Sequence, residues 1–279
     1  MNFLNPAIDL AQLARDKKEE YQHAKPFPNI VLHDILDEGM LKKVLSEFPD
    51  LSKRNDIIQY DNHNEKKLAA KGEAAFGETT KLLTHFLNSQ PVLEFLQELT
   101  GIKEVLIPDP YFEGGGYHEI KPGGLLKIHA DFNKNRLTGL DRRINLLVYL
   151  NTDWQESYGG HFELWDKDMT TSHKKILPLF NTIAIFSTTD FSYHGHPNPL
   201  TCPPDRSRKS LALYYYSNGR PAEEVNQGLE EHGTLFKSRS GVNDDVASTQ
   251  GTTFKTILKD LLPPFIIKTI KKIKGKNDH

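Results

Sequence analysis

His129-Ala130-Asp131 ends an apolar run, Leu125-Leu126-Lys127-Ile128, and places an imidazole and a carboxylate two residues apart. On an extended strand successive side chains alternate between faces, so His129 and Asp131 point the same way and can grip one metal ion. A second histidine from a distant strand would complete a set of two imidazoles and one carboxylate. Ser192-Tyr193-His194-Gly195-His196, just after the strand-like stretch 182–186, offers His194 and His196 for that place. Such a set leaves three coordination positions open, which suits an Fe(II) ion that must bind a 2-oxoacid and dioxygen together. The oxoacid needs a cation for its far carboxylate, and Arg208 opens the run Arg208-Lys209-Ser210-Leu211. A guanidinium is permanently charged and meets a carboxylate through paired hydrogen bonds, which a lysine cannot do as well. Ser210, two positions on, shares its face and adds a hydroxyl donor. An H-x-D triplet arises by chance in many chains, and most of the 12 histidines are ordinary satisfied or solvated side chains. The order of the pieces sets this group apart: strand, H-x-D, several strands, histidine, then R-x-S opening a terminal strand.

The elements that must position these residues lie between Val105 and Ser217. Short apolar runs separated by glycine, proline and asparagine follow closely there, with no helix-length pattern, as in a sandwich or barrel of many short strands. In Asn145-Leu146-Leu147-Val148-Tyr149, alternation places Asn145, Leu147 and Tyr149 on one face. Asn145 is therefore either a pocket residue or a strand-end hydrogen bond. Gly114-Gly115-Gly116 lacks the lysine and helix start of a phosphate loop and is expected to be a tight strand entry. Upstream, a polar amphipathic helix is expected over 7–24, a strand over 27–32, and a helix over 37–48 capped by Asp37 or Asp34. Residues 52–66 are polar and expected to be irregular. Two further helices are expected over 79–87 and 92–99, the second stopped by Gly101.

Several motifs resemble those of the 2-oxoglutarate- and Fe(II)-dependent oxygenases, and within them the prolyl 4-hydroxylase-like branch. They are Lys121-Pro122-Gly123-Gly124 before the H-x-D, the strand from Arg143 to Asn151, and Asp153-Trp154 followed by Gly159-Gly160-His161-Phe162-Glu163-Leu164. Ser192-Tyr193-His194 and Arg208-Lys209-Ser210-Leu211 complete the resemblance. It implies a double-stranded β-helix (jelly-roll, cupin-like) core with an N-terminal helical region and a C-terminal helical tail. It also implies His129, Asp131 and His194 as iron ligands, with the Ser-Tyr-His match favouring His194 over His196. Arg208 becomes the salt-bridge partner of 2-oxoglutarate, and Tyr149 a hydrogen-bond donor to the same carboxylate. The cofactor set is Fe(II) with 2-oxoglutarate and O2 as cosubstrates, and ascorbate as a candidate reductant. The implied reaction is hydroxylation of an unactivated C–H bond, and the carboxylate of Asp131 fits this because halogenating relatives lack it. The resemblance suggests peptidyl or free proline as prime substrate. A sugar or other small molecule is the alternative, and a non-catalytic metal-binding cupin-like module is a third reading, which leaves Arg208 and Tyr149 unexplained.

The bulk properties agree with an enzyme of this size. A chain of 279 residues can bury a full core, and a net charge of −2 gives no drive toward nucleic acid. The first residues reach charged side chains too soon for a signal peptide. A lone cysteine, Cys202, excludes internal disulfides and suits the cytoplasm. The expected organisation is 1–104 as a mixed lead-in, 105–220 as the core, and 221–279 as a polar linker and tail. Within the tail, isoleucines at 266, 267, 270 and 273 alternate with lysines, so a basic amphipathic helix is expected there. It would meet a membrane surface, a dimer mate or its own domain.

Overall fold

In the computed structural model, which describes residues 2–70, 72–225, 231–244 and 246, the first two helices begin at side-chain caps. Asp9 accepts the Gln12 amide N–H at 3.0 Å to start α1 (Leu10–Gln22), and Asp37 accepts that of Met40 at 2.8 Å to start α2 (Glu38–Glu47). Helix α3 (Glu78–Leu87) is followed by α4 (Gln90–Thr100), which has Pro91 in its first turn and ends at Gly101 in the left-handed conformation, φ 71°. Val44, Leu83, Leu96 and Leu99 on these helices form one apolar core with Ile144, Leu146, Val148, Leu211 and Leu213 of the sheet beneath.

That sheet has eight strands. Its order is β1 (Asn29–His33), β10 (Thr182–Ser187), β7 (Asp141–Tyr149), β12 (Arg208–Ser217), β5 (Gly116–Ile120), β3 (Lys66–Ala70) and β2 (Ile57–Asp61). The short β4 (Ile107–Pro108) pairs beside β12. A second sheet of five strands runs β13 (Leu235–Phe236), β6 (Leu126–Ala130), β11 (Tyr193–His196), β8 (Phe162–Trp165) and β9 (Ser172–Ile176). Every pairing is antiparallel. From β5 onward the chain passes repeatedly between the two sheets, and the fold is the expected double-stranded β-helix with helices against one face. The alternation in β7 divides its side chains accordingly: Ile144, Leu146 and Val148 face the helices, while Asn145 and Leu147 line the space between the sheets.

Two segments differ from expectation. Residues 52–66 are not irregular throughout, because Ile57–Asp61 and Lys66–Ala70 form a hairpin that extends the edge of the large sheet. Its turn is held by Asn62, whose side-chain oxygen accepts the amides of Asn64 and Glu65 at 2.9 and 3.1 Å. Local polarity hid this strand pair, whose stability comes from the neighbouring β5. The polar stretch after Pro221 also contributes structure. Leu235 and Phe236 pair with Ala130 and His129, and the Phe236 ring lies 5.4 Å from that of His129. Sheet strands are therefore drawn from both sides of 105–220. The chain divides into two units, Met1–Ala247 and Ser248–His279. The second unit, with the expected basic helix, lies outside the described residues.

The approach to β13 is fixed by His232. Its Nδ1 and Nε2 face the Gly233 carbonyl at 2.7 Å and the Asp190 carboxylate at 2.8 Å, so only the doubly protonated ring satisfies both. Burial and Arg220 act to lower the His232 value, but Asp190 and the Gly233 carbonyl outweigh them and raise it above the ordinary imidazole. The stabilisation is complete below the unfolded value of about 6.5 and is lost as pH rises through the raised folded value. A hydrogen bond to a charged group contributes roughly 1.5–3 kcal/mol. Amide exchange at Leu235 and Phe236, corrected for its intrinsic pH dependence, is expected to speed up across that window. A pH-independent protection factor would show that the pair does not hold β13.

Candidate metal centre

His129 on β6 and His194 on β11 are direct cross-strand partners, and Asp131 follows one residue after β6 ends. Ligand atoms from the three side chains all lie within 4.8 Å of one another. His129 Nδ1 donates to the Lys127 carbonyl and His194 Nδ1 to the Ser192 carbonyl, each at 2.8 Å. A carbonyl can only accept, so each Nδ1 carries the hydrogen and a neutral ring turns a bare lone pair outward at Nε2. These Nε2 atoms stand 3.6 Å from Asp131 Oδ1 and 3.3 Å from Oδ2 respectively. Two lone pairs and a carboxylate facing one another repel unless a cation lies among them. Backbone carbonyls fixing Nδ1–H are the usual support of metal-bound histidine. Two imidazole nitrogens and one carboxylate oxygen fit Fe(II).

The carboxylate is held from behind. Asn145 Nδ2 donates to Asp131 Oδ2 at 2.7 Å, and Arg142 Nη2 stands 3.1 Å from the same oxygen, an ion pair without hydrogen-bond alignment. Arg142 Nε donates to Asn145 Oδ1 at 2.9 Å, and its guanidinium carbon sits 3.5 Å from the Tyr214 ring centre and 4.3 Å from that of Phe132. Burial would raise the Asp131 carboxyl, but Arg142 and the imidazoles outweigh it and hold it well below the usual carboxylate range. Burial, together with the neighbouring His194 ring, pushes His129 below the ordinary imidazole value.

A second constellation occupies the same cavity. Arg208 begins β12, only 5% exposed, where Nε donates to the Gly160 carbonyl at 2.9 Å and Nη2 to the Tyr149 hydroxyl oxygen at 3.3 Å. Gly160 has φ 74°, and a Cβ there would fall 2.6 Å from Leu200 and 3.0 Å from Arg208, so this close approach requires glycine. Because the Tyr149 oxygen accepts from Arg208, its O–H remains for a ligand. Ser210 pairs with Tyr149 across the strands and lines the cavity. Among the described residues no carboxylate pairs with Arg208, and burial lowers its value. An unpaired buried guanidinium calls for an anion.

All seven residues singled out from the sequence thus belong to one connected site: His129, Asp131, His194, Asn145, Ser210 and Arg208 line the cavity, and Tyr149 touches Arg208. Asn145 serves the Asp131 carboxylate rather than the Arg208 end. His194, not His196, joins the cluster. Sequence reasoning missed Arg142, because simple alternation puts Arg143 on the Asn145 face. A register shift opposite Tyr215 and Tyr216 makes Arg143 the extra residue and turns Arg142 inward instead. Lys67 and His118 also line the cavity, brought there by the β3–β5 pairing. Burial, with the Lys67 charge, pushes His118 down to about 3. His196 lines it too, held well below the ordinary value by burial and then by Arg208.

Residues 115–216 match the 2OG-Fe(II) oxygenase superfamily. Prolyl 3-hydroxylase OGFOD1 of Xenopus laevis is 24% identical over 213 residues, which is 74% of this chain and 37% of that protein's length. The prolyl hydroxylase of Trichoplax adhaerens, solved with a hypoxia inducible factor oxygen degradation domain peptide, has a similar fold with TM-score 0.53. It is 18% identical, over 75% of this chain and 90% of that one. HygX from Streptomyces hygroscopicus, solved with nickel, 2-oxoglutarate and hygromycin B, has TM-score 0.50 and 13% identity over 80% and 97% of the two chains.

Proposed function

We propose that this chain, whose residues 115–216 match the 2OG-Fe(II) oxygenase superfamily, is an oxygenase of that kind and hydroxylates a prolyl or related C–H bond at the expense of 2-oxoglutarate and dioxygen. His129, Asp131 and His194 hold Fe(II), which when bound supplies the oxygen activation that no side chain can perform. The observation that carries the reading is one cavity with a lone-pair cluster at one end and, at the other, a buried guanidinium without an acid partner among the described residues. A 2-oxo diacid satisfies both: its keto acid end meets the metal and its far carboxylate meets Arg208 and the Tyr149 hydroxyl. A metal-binding module without turnover has no use for the second feature.

The chain's own groups do the positioning. Arg142 and Asn145 hold the Asp131 carboxylate, the two backbone carbonyls orient the imidazoles, and Phe162 and Phe186, with ring centres 5.4 and 4.6 Å from that of His194, keep water from its flank. The proposed core is 105–220 completed by β1–β3 and β13. Proline in a peptide is favoured as prime substrate by prolyl hydroxylases among the similar proteins. A polar small molecule is the second reading, favoured by Lys67 and His118 on the cavity wall. The single thiol, Cys202, supports a cytoplasmic location. Among the described residues no helix is long and apolar enough to cross a membrane.

The test is succinate release from 2-oxoglutarate with Fe(II) and ascorbate, scanned over proline peptides, free proline and polar metabolites. Stimulation by one class names the substrate. No succinate under any condition, coupled or uncoupled, would sink the oxygenase reading for this chain.

A further inference from the structure

His196 is 2% exposed, and both ring nitrogens are buried without a hydrogen-bond partner among the described residues. A buried polar group left in this state is destabilising, and such groups in native proteins usually meet a ligand or water. The ring lines the cavity shared by the metal cluster and Arg208. Strand register locates it within that cavity. His194 pairs with His129, whereas His196 pairs with Leu126, so His196 lies one strand repeat away from the metal ligands. On the other side of β11, Gly195 pairs with Glu163, which carries His196 toward Phe162 and the start of β8. Gly160, whose carbonyl holds Arg208, lies two residues before that start. The strand is pressed tightly here, since a Cβ on Gly195 would fall 2.7 Å from the Leu126 carbonyl oxygen. The His196 backbone therefore has little freedom to turn its ring elsewhere.

We propose that His196 is a specificity-determining residue of this chain, donating a ring N–H to the far carboxylate of the cosubstrate beside Arg208 and Tyr149. The inference rests on the oxygenase reading and adds a third donor to the end of the cavity opposite the metal. A carboxylate has lone pairs enough for a guanidinium, a phenol and an imidazole together. The donor would favour a 2-oxo diacid over a 2-oxoacid that ends in a methyl group.

The experiment measures 2-oxoglutarate and pyruvate binding to the Ni(II)-loaded full-length chain by calorimetry, for the wild type, His196→Leu and His196→Gln. Pyruvate keeps the metal-binding end and lacks the far carboxylate. In His196→Leu the affinity for 2-oxoglutarate is expected to fall about ten- to a hundredfold, with that for pyruvate unchanged. His196→Gln, which keeps an N–H donor, is expected to recover part of the loss. The metal-free melting temperature of His196→Leu is expected to equal or exceed that of the wild type, because an unpartnered polar ring has been replaced by an apolar side chain. A structural role for the ring would lower it. Unchanged 2-oxoglutarate affinity, or equal losses for both acids, would overturn the assignment. If the wild type itself binds pyruvate and 2-oxoglutarate equally, the diacid reading of the cavity fails and this inference with it.

Discussion

His129→Ala and Asp131→Ala are both expected to abolish divalent-metal binding, yet only Asp131→Ala should strongly destabilise the metal-free protein. The spacing of the pair suggests equivalent ligands whose loss leaves the fold intact. The surroundings are different. Among the described residues His129 makes one side-chain hydrogen bond, to the Lys127 carbonyl, and deleting it removes one donor from a backbone acceptor. Asp131 compensates Arg142, whose side chain is 1% exposed and lies between two aromatic rings. Removing one partner of a buried ion pair costs about 3–5 kcal/mol, because the other charge stays buried and uncompensated. For a domain of this size that corresponds to a fall of roughly 6–20 °C in melting temperature. The comparison is made in chelator, so that loss of bound metal does not enter, and metal binding is followed separately by calorimetry with Fe(II) or Ni(II). Equal melting temperatures for the two variants would show that Arg142 is compensated elsewhere, and retained binding in either would remove that residue from the metal set.

The same contrast marks how far the sequence reaches. His129 and Asp131 are legible because their relation is local: two residues apart on an apolar strand means one face, whatever the strand pairs with. His194, Arg208 and Tyr149 are not local to that strand, and spacing alone makes them only candidates. Their convergence depends on the register of β6 with β11 and of β7 with β12, which the motif resemblance supplies and the residues do not. Arg142 was hidden for a physical reason, since a bulge changes which of two adjacent arginines faces inward and leaves no signature in Arg142-Arg143 itself. The β2–β3 hairpin and β13 were hidden for another. The hairpin surrounds a polar turn and β13 is only two residues long, so neither carries an apolar alternation of its own, and each depends on the strand it pairs with. His196 stood in plain view as a rival ligand, and only its register one repeat beyond His194 separates it from the metal cluster.

Arg208→Lys should weaken 2-oxoglutarate about ten- to a hundredfold while leaving metal affinity within a factor of about two. The guanidinium has a fixed fork of donors, and two of its nitrogens are already assigned. Nε is held by the Gly160 carbonyl and Nη2 by the Tyr149 oxygen, so the fork is locked and its remaining N–H groups are aimed before a ligand arrives. Lysine keeps the charge but has one nitrogen on a flexible stem. It can reach the Gly160 carbonyl or an incoming carboxylate, and it cannot hold the Tyr149 hydroxyl in place at the same time. The loss is therefore geometric as well as electrostatic, which separates it from Tyr149→Phe. That variant removes one neutral donor worth roughly 0.5–1.5 kcal/mol, or about two- to tenfold in affinity. Calorimetry on the Ni(II)-loaded proteins distinguishes the two. If Arg208→Lys binds 2-oxoglutarate as the wild type does, the carboxylate clamp is elsewhere, and Lys67 becomes the cation to examine because it lines the same cavity. If both variants lose metal together with 2-oxoglutarate, the two ends of the cavity are coupled through β7 and β12, and Arg208 is then part of the frame that holds Asn145 against Asp131.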